Sequence, residues 1–176
     1  MVDIGGAKVR LRSPTLTDVD VLVAARDADP ATFGPGGEEA RERLRKQVER
    51  NPTLADGGFL ELVVERDGEL IGDVQARAPK NAFPPGVCEI GITLFTKARG
   101  RGSGREAVEL FTDHLFRGGL ERVQASTAVD NVEMRRVLER LGYTYEGVLR
   151  EFSPTDGGGR EDYAMYAMTR RDWDAR

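Results

Sequence analysis

Apolar and polar residues change their period several times along the chain, and each change marks an element. Residues 9–12 alternate (Val9, Arg10, Leu11, Arg12), as a half-buried strand does. Ser13-Pro14-Thr15 breaks that run. Across 18–28, Val19, Leu22, Val23 and Ala25 return at helical spacing, with Thr17 or Asp18 as N-cap. Residues 30–37, rich in proline and glycine, read as a loop. The segment 38–50 is dense in charge, with Ala40, Leu44 and Val48 at four-residue intervals: a solvated helix with a narrow apolar stripe. Gly57-Gly58 closes this helical region. Runs 59–65 and 70–76 then flank Asp67-Gly68, a hairpin signal. The span 79–86 holds Pro79, Pro84 and Pro85 and reads as a loop. Residues 89–95 make the third strand of a meander, with Ile90, Ile92 and Leu94 on one face.

The second half alternates strand and helix. A glycine-rich loop at 99–104 feeds a helix over 104–116, which puts Val108, Phe111 and Leu115 on one side with Ala107 and Leu110 beside them. Gly118-Gly119 stops it. Residues 123–127 form a short strand. Residues 131–141 form a helix with Met134, Val137, Leu138 and Leu141 inward and Gly142 as its left-handed cap. Two strands, 143–152 and 163–169, are joined by a flexible 154–159. No repeat or linker divides the chain. A single mixed α/β domain over 1–176 is expected.

Composition narrows the function classes. The 176 residues suffice for one domain with a substantial core. With 39% hydrophobic and 32% charged residues, the chain is an ordinary globular one. A net charge of -4 argues against nucleic acid and suits a cationic or amine-bearing substrate. Cys88, the one cysteine, rules out an internal disulfide and a cysteine-based zinc site, so a reducing cytosol is the expected compartment and no metal is expected. The start carries no long apolar core, and no apolar run reaches the roughly 18 residues of a membrane span.

The loop Arg99-Gly100-Arg101-Gly102-Ser103-Gly104 is the chemical landmark. It offers backbone N–H groups at a helix N-terminus, a site for phosphate. The dinucleotide fingerprint does not fit, since the glycines alternate and Arg105 stands where the third glycine belongs. A Walker loop would need G-K-S/T and is absent. A plain strand-to-helix turn remains the other reading.

Taken together, E-I-G-x-x-L at 89–94, R-G-x-G-x-G at 99–104 and N-x(10)-G-Y ending at Tyr143 resemble the GNAT superfamily of acetyl-CoA-dependent N-acetyltransferases, in particular its RimJ/RimL-like branch. The opening L-R-S-P-T-L-T-D, Glu146-Gly147 and the ending Y-A-M-T-R-R-D-W agree. The resemblance implies a mixed, mostly antiparallel twisted sheet of about six to seven strands flanked by about four helices. It implies acetyl-CoA as co-substrate and a primary amine, on a protein N-terminus or a small molecule, as acceptor. It leaves room for a homodimer. It further implies that strand 89–95 splays from its neighbour at a bulge, so that backbone near Thr93, Leu94 and Phe95 pairs with the pantetheine arm. Leu94 N–H would then donate to the thioester carbonyl. The N–H groups of Arg101, Gly102, Ser103, Gly104 and Arg105 would cradle the pyrophosphate, and Gly102 and Gly104 would let it approach closely. Arg99 and Arg101 either face the 3′-phosphate or are solvated.

Attack on a thioester needs a neutral amine, hence a base. Glu89 is that base or a strand-end carboxylate. For the acid, the chain departs from the family: Met134 stands where a serine is frequent and Leu138 where a tyrosine is. A tyrosine elsewhere (Tyr143 first, with Tyr145 and Tyr163) would act, or the thiolate leaves unassisted, or the protein binds acyl-CoA without turnover. Asn131 contacts the cofactor or caps its helix. His114 reads as a surface or helix-end residue and Cys88 as a small buried one. Glu161 and Asp162 line an amine pocket or are solvated.

Overall fold

The computed structural model describes residues 1–29, 34–79, 81, 83–155 and 157–176. In chain order the elements are β1 (Asp3–Gly5), β2 (Arg10–Arg12), α1 (Asp18–Ala28), α2 (Gly37–Arg50), α3 (Leu54–Gly57), β3 (Phe59–Arg66), β4 (Glu69–Arg77), β5 (Val87–Leu94), a 3-10 turn (Thr96–Ala98), α4 (Ser103–Arg117), β6 (Arg122–Ala128), α5 (Val132–Arg140), β7 (Thr144–Pro154), β8 (Arg160–Thr169) and α6 (Arg170–Asp174). The positions 30–33, 80, 82 and 156, inside the three expected loops, lie outside the described residues.

The strands form one eight-stranded sheet in the order β1-β2-β3-β4-β5-β6-β8-β7. Every neighbouring pair is antiparallel except β5 and β6, which run parallel because α4 carries the chain across between them. The mixed, mostly antiparallel sheet is as expected, but it has eight strands and not six or seven. Among the described residues there are six α-helices and not four. The extra elements are short. β1 has three residues and no alternation of its own, and α3 has four residues started by Thr53, whose hydroxyl accepts from Asp56 N–H. α6 has five, held by a reciprocal Thr169–Asp172 capping box. None is long enough to show a period.

The β3–β4 turn matches its signal: Asp67 and Gly68 both have positive φ (54° and 81°), as a type I′ hairpin requires. Both sheet faces are covered. Leu62, Val64, Val74, Ala76, Cys88 and Ile90 pack with Ala107, Val108, Phe111 and Leu115 of α4 in the main core. On the other face Val63 packs with Val19, Leu22 and Val23 of α1 and Leu44 of α2. Phe111 is fully buried, and truncating such a ring costs about 3–5 kcal/mol. Cys88 is fully buried beside it in the main core; burial, then the Glu89 charge, pushes its thiol up to about 12, so it behaves as a small apolar residue.

Candidate cofactor and acceptor site

The sheet opens beside β5. Along one edge β5 pairs with β4 from Glu89 opposite Arg77 to Leu94 opposite Gly72, without a register shift. Along the other edge it pairs with β6 only at Val87, Cys88 and Glu89. Beyond Glu89 the two strands part, because β6 continues in full register with β8. The divergence therefore needs no bulge on β5; the register shifts fall between Val64 and Glu65 and within β7–β8.

The ladder decides which backbone groups face the gap. Phe95 N–H donates to Ile71 O at 2.8 Å, so residues 95 and 71 form a hydrogen-bonded pair. Antiparallel pairs alternate, so Thr93 opposite Asp73 is bonded too, and Leu94 opposite Gly72 is not. Leu94 N–H therefore turns toward the gap, whereas the N–H groups of Thr93 and Phe95 turn to β4. Of the three expected backbone contacts, Leu94 is the one the strand presents.

The glycine loop follows at once. Gly100 and Gly102 have φ of 75° and 80°, a region that favours glycine, and Gly102 is the N-cap of α4. The helical ladder starts with Glu106 N–H donating to Gly102 O at 3.3 Å. The N–H groups of Ser103, Gly104 and Arg105 precede it at the positive end of the helix. A Cβ on Gly104 would lie 3.4 Å from Leu94 Cδ1 and 3.9 Å from Ile92 Cδ1, ordinary contact distances, so the packing of α4 on β5 does not by itself demand glycine there. Arg99 is tied back to the strand, its Nε donating to Leu94 O at 3.0 Å, while Arg101 and Arg105 are exposed.

Two further cations converge here that no local motif announces. Arg66, at the end of β3, donates to Ser103 Oγ at 3.0 Å. Lys8 Nζ lies 3.2 Å from where a Gly102 Cβ would be. Arg66 ends β3 and Lys8 lies in the turn between β1 and β2, both far away in the chain, so only the assembled sheet brings them to the loop.

Glu89 sits at the mouth of the gap, on the face opposite α4. Its carboxylate accepts from Ser126 Oγ at 3.1 Å and Gln124 Nε2 at 3.3 Å, both on β6. The same face of β4 and β3 carries Asp73, Gln75 and Glu61. Asp73 is 1% exposed and accepts from Gln75 Nε2 at 2.8 Å. Burial raises its carboxyl above the usual range, against the pull of Gln75 and Arg26. Glu61 accepts from Gln47 and is pushed up to about 7, first by burial and then by the Asp73 charge. Arg26 is buried as well; its Nη1 donates to Leu22 O at 3.2 Å and its Nε has no partner among the described residues. In the sequence these carboxylates occupy the polar positions of half-buried strands; α1 and α2 turn that face into an interior.

The other candidates are held as follows. Tyr143 is buried, its hydroxyl 2.7 Å from Thr112 Oγ1, and burial raises its pKa well above the ordinary phenol value. Thr112 lies eight residues beyond Gly104, roughly 12 Å along α4, so Tyr143 is not brought to Leu94; it shares the α4-side core with Cys88, whereas Glu89 lies on the other face of β5. Tyr145 packs on Tyr166 with ring centroids 5.4 Å apart. Tyr163 packs on Phe152 at 5.2 Å and shares the face of Glu89, opposite Ala128. Asn131 takes the capping alternative: Oδ1 accepts from Met134 N–H at 3.2 Å and Nδ2 donates to Thr127 Oγ1 at 3.0 Å. Leu138 is fully buried and Met134 packs against the core. His114 caps the C-terminal end of α4 through its carbonyl, and burial lowers its imidazole pKa. Asp162 accepts from Glu151 N–H at 2.7 Å, a strand-pairing role.

Comparison with known proteins agrees with this geometry. A family model described as an acetyltransferase (GNAT) domain matches residues 8–144. The uncharacterized N-acetyltransferase p20 of Bacillus licheniformis is 29% identical over 89 residues, covering 50% of this chain and 49% of that one. The ribosomal-protein-serine acetyltransferase of Escherichia coli (strain K12) is 28% identical over 117 residues, covering 64% and 63%. The matched segments thus span less than two thirds of either curated relative. A solved structure of RimL, a ribosomal-protein alpha-N-acetyltransferase in complex with coenzyme A, superposes with a TM-score of 0.79 at 22% identity over 96% of this chain and 98% of that one. It shares the fold. With the family model matching well over half of its residues, the chain belongs to the GNAT acetyltransferase family.

Proposed function

We propose that this chain is an acetyl-CoA-dependent N-acetyltransferase working in the cytosol on a primary amine, either a protein N-terminus or a small amine. The observation that carries the reading is the gap beyond Glu89, into which Leu94 N–H turns beside the first turn of α4. The N–H groups of Arg101 to Arg105 hold the pyrophosphate of the cofactor. Leu94 N–H donates to the thioester carbonyl and to the oxyanion formed from it, a donor worth roughly 3 kcal/mol in comparable sites.

The acceptor enters from the face carrying Glu89, Asp73 and Glu61, whose carboxyl groups favour a cationic amine. Glu89 takes the ammonium proton, directly or through water, with Gln124 and Ser126 fixing its carboxylate. The neutral nitrogen attacks the carbonyl carbon and the C–S bond breaks. The nitrogen, cationic after attack, gives up a proton to solvent to leave the neutral amide, and the thiolate takes its proton from solvent. No protein acid is assigned to that last step, because Leu138 and Met134 carry none and the Tyr143 hydroxyl is engaged with Thr112. Incubation with acetyl-CoA and a panel of amines and N-terminal peptides, followed by thiol release, tests the reading.

The buried Leu138 favours a second reading, an acyl-CoA-binding protein without turnover. Tight coenzyme A binding with no thiol release across the panel would decide for it.

A further inference from the structure

The geometry points to Lys8 as a phosphate ligand of the cofactor, delivered to the glycine loop by a hairpin turn that Glu106 pins to the first turn of α4. The inference rests on the acetyl-CoA reading above and adds to it a residue that lies outside every motif of the loop.

The turn between β1 and β2 is short and closed by Gly6 N–H donating to Val9 O at 2.8 Å. Its contact with α4 is specific. Lys8 N–H donates to both carboxylate oxygens of Glu106, at 2.9 and 3.1 Å, joining positions 98 residues apart. Gly6 makes that approach possible, since a Cβ there would fall 2.3 Å from Glu106 Oε1 and 2.7 Å from Leu110 Cδ1. The backbone of Lys8 is thus fixed, and its ammonium lies beside Gly102, the N-cap of the helix.

The charges around it fit an anion. Glu106 is the acidic residue of the first turn of α4, and its carboxylate is engaged by the turn's N–H. Arg101 and Arg105 are exposed on either side, and Arg66 holds Ser103 from the other. Lys8 itself is exposed and has an ordinary flexible stem. An ammonium whose backbone is pinned but whose side chain is free adds a point charge to a cradle otherwise made of N–H groups. The ligand chemistry is a phosphate, and coenzyme A offers two: the pyrophosphate and the 3′-phosphate.

The experiment is a calorimetric titration of coenzyme A and of 3′-dephospho-coenzyme A into the wild type, Lys8→Met and Lys8→Arg, at low and high salt. Lys8→Met should weaken coenzyme A binding about ten- to hundredfold, the scale of one charge-assisted hydrogen bond. Lys8→Arg should restore most of it, and high salt should narrow the gap between wild type and Lys8→Met. An equal loss with both ligands assigns Lys8 to the pyrophosphate; a loss confined to coenzyme A assigns it to the 3′-phosphate. Wild-type affinity in Lys8→Met, with the wild type binding coenzyme A, overturns the inference alone. A wild type that binds neither ligand overturns the proposed function beneath it.

Discussion

The two faces of β5 are built on different principles. On the proposed reading the α4 side handles the cofactor with backbone: Leu94 N–H, the first turn of α4, and Gly100 and Gly102 with their positive φ. The α1–α2 side carries its polar groups as side chains, Glu89, Asp73, Glu61 and Arg26, brought under cover by two helices, and on the same reading these handle the chemistry. Backbone dipoles are fixed by the fold and insensitive to pH. Buried carboxyl groups are costly, coupled to one another and responsive to pH. One half should therefore fail by steric or charge intrusion, the other by titration, and substitutions can separate the two.

The largest effect belongs to the side-chain half. Glu89→Gln keeps the shape that Gln124 and Ser126 hold but removes the base. Turnover should fall about 10²- to 10⁴-fold with the dissociation constant of coenzyme A unchanged. Single-turnover kinetics beside a binding titration makes the check; an unaltered rate would make Glu89 structural.

The backbone half answers to Gly102→Asp. This places a carboxylate in the phosphate cradle and neutralises the Lys8 ammonium beside it. Two like charges at about 4 Å repel by roughly 4 kcal/mol at an effective dielectric of 20, close to a thousandfold in affinity. Isothermal titration with coenzyme A should show that loss, with the far-ultraviolet spectrum retained. Unchanged affinity would break the assignment of this loop.

These halves also differ in how far they could be read from sequence. The cofactor half depends on local order in the chain: 89–94, then the glycines at 100, 102 and 104, then an amphipathic helix. Local order survives folding, so this half is recognisable along the sequence. Even there, the seating of Gly104 over Leu94 and Ile92 shows only once the helix lies on its strand. Lys8 and Arg66 are invisible for a related reason: each is a lone cation until the sheet closes. On the acceptor side almost nothing is local. Glu61 and Asp73 alternate with valines and leucines as outward polar residues do, and only the packing of α1 and α2 buries them. The short β1, α3 and α6 escape because three to five residues carry no period.

Titration should expose the acceptor side. The carboxyl of Glu61 rises from 4.5 to about 7, so the fold prefers its protonated form. That preference stabilises fully below pH 4.5 and is lost as pH climbs through 7. Glu61→Gln keeps an acceptor for Gln47 and carries no charge at any pH. It should match the wild type at pH 4.5 and exceed it by about 3 kcal/mol at pH 8, the equivalent of that rise. Chemical denaturation at a series of pH values measures the difference. A gap that does not grow with pH would mean the cluster is hydrated.

Tyr143 gives the smallest effect and the sharpest separation of structure from chemistry. As the acid for the departing thiolate, it would make Tyr143→Phe slow. As placed, its hydroxyl meets Thr112 on the α4 side, in the core and roughly 12 Å along the helix from Gly104, the residue that faces Leu94. Removing one hydroxyl of a buried pair leaves the other without that partner, at a cost of about 1–3 kcal/mol. Tyr143→Phe should therefore lower the melting temperature by several degrees. Its kcat at 25 °C should stay within about twofold of the wild type, since the thiolate leaves without that proton. A kcat loss of tenfold or more in a variant that is still folded would return Tyr143 to the reaction, and would show that the core around Thr112 opens during turnover.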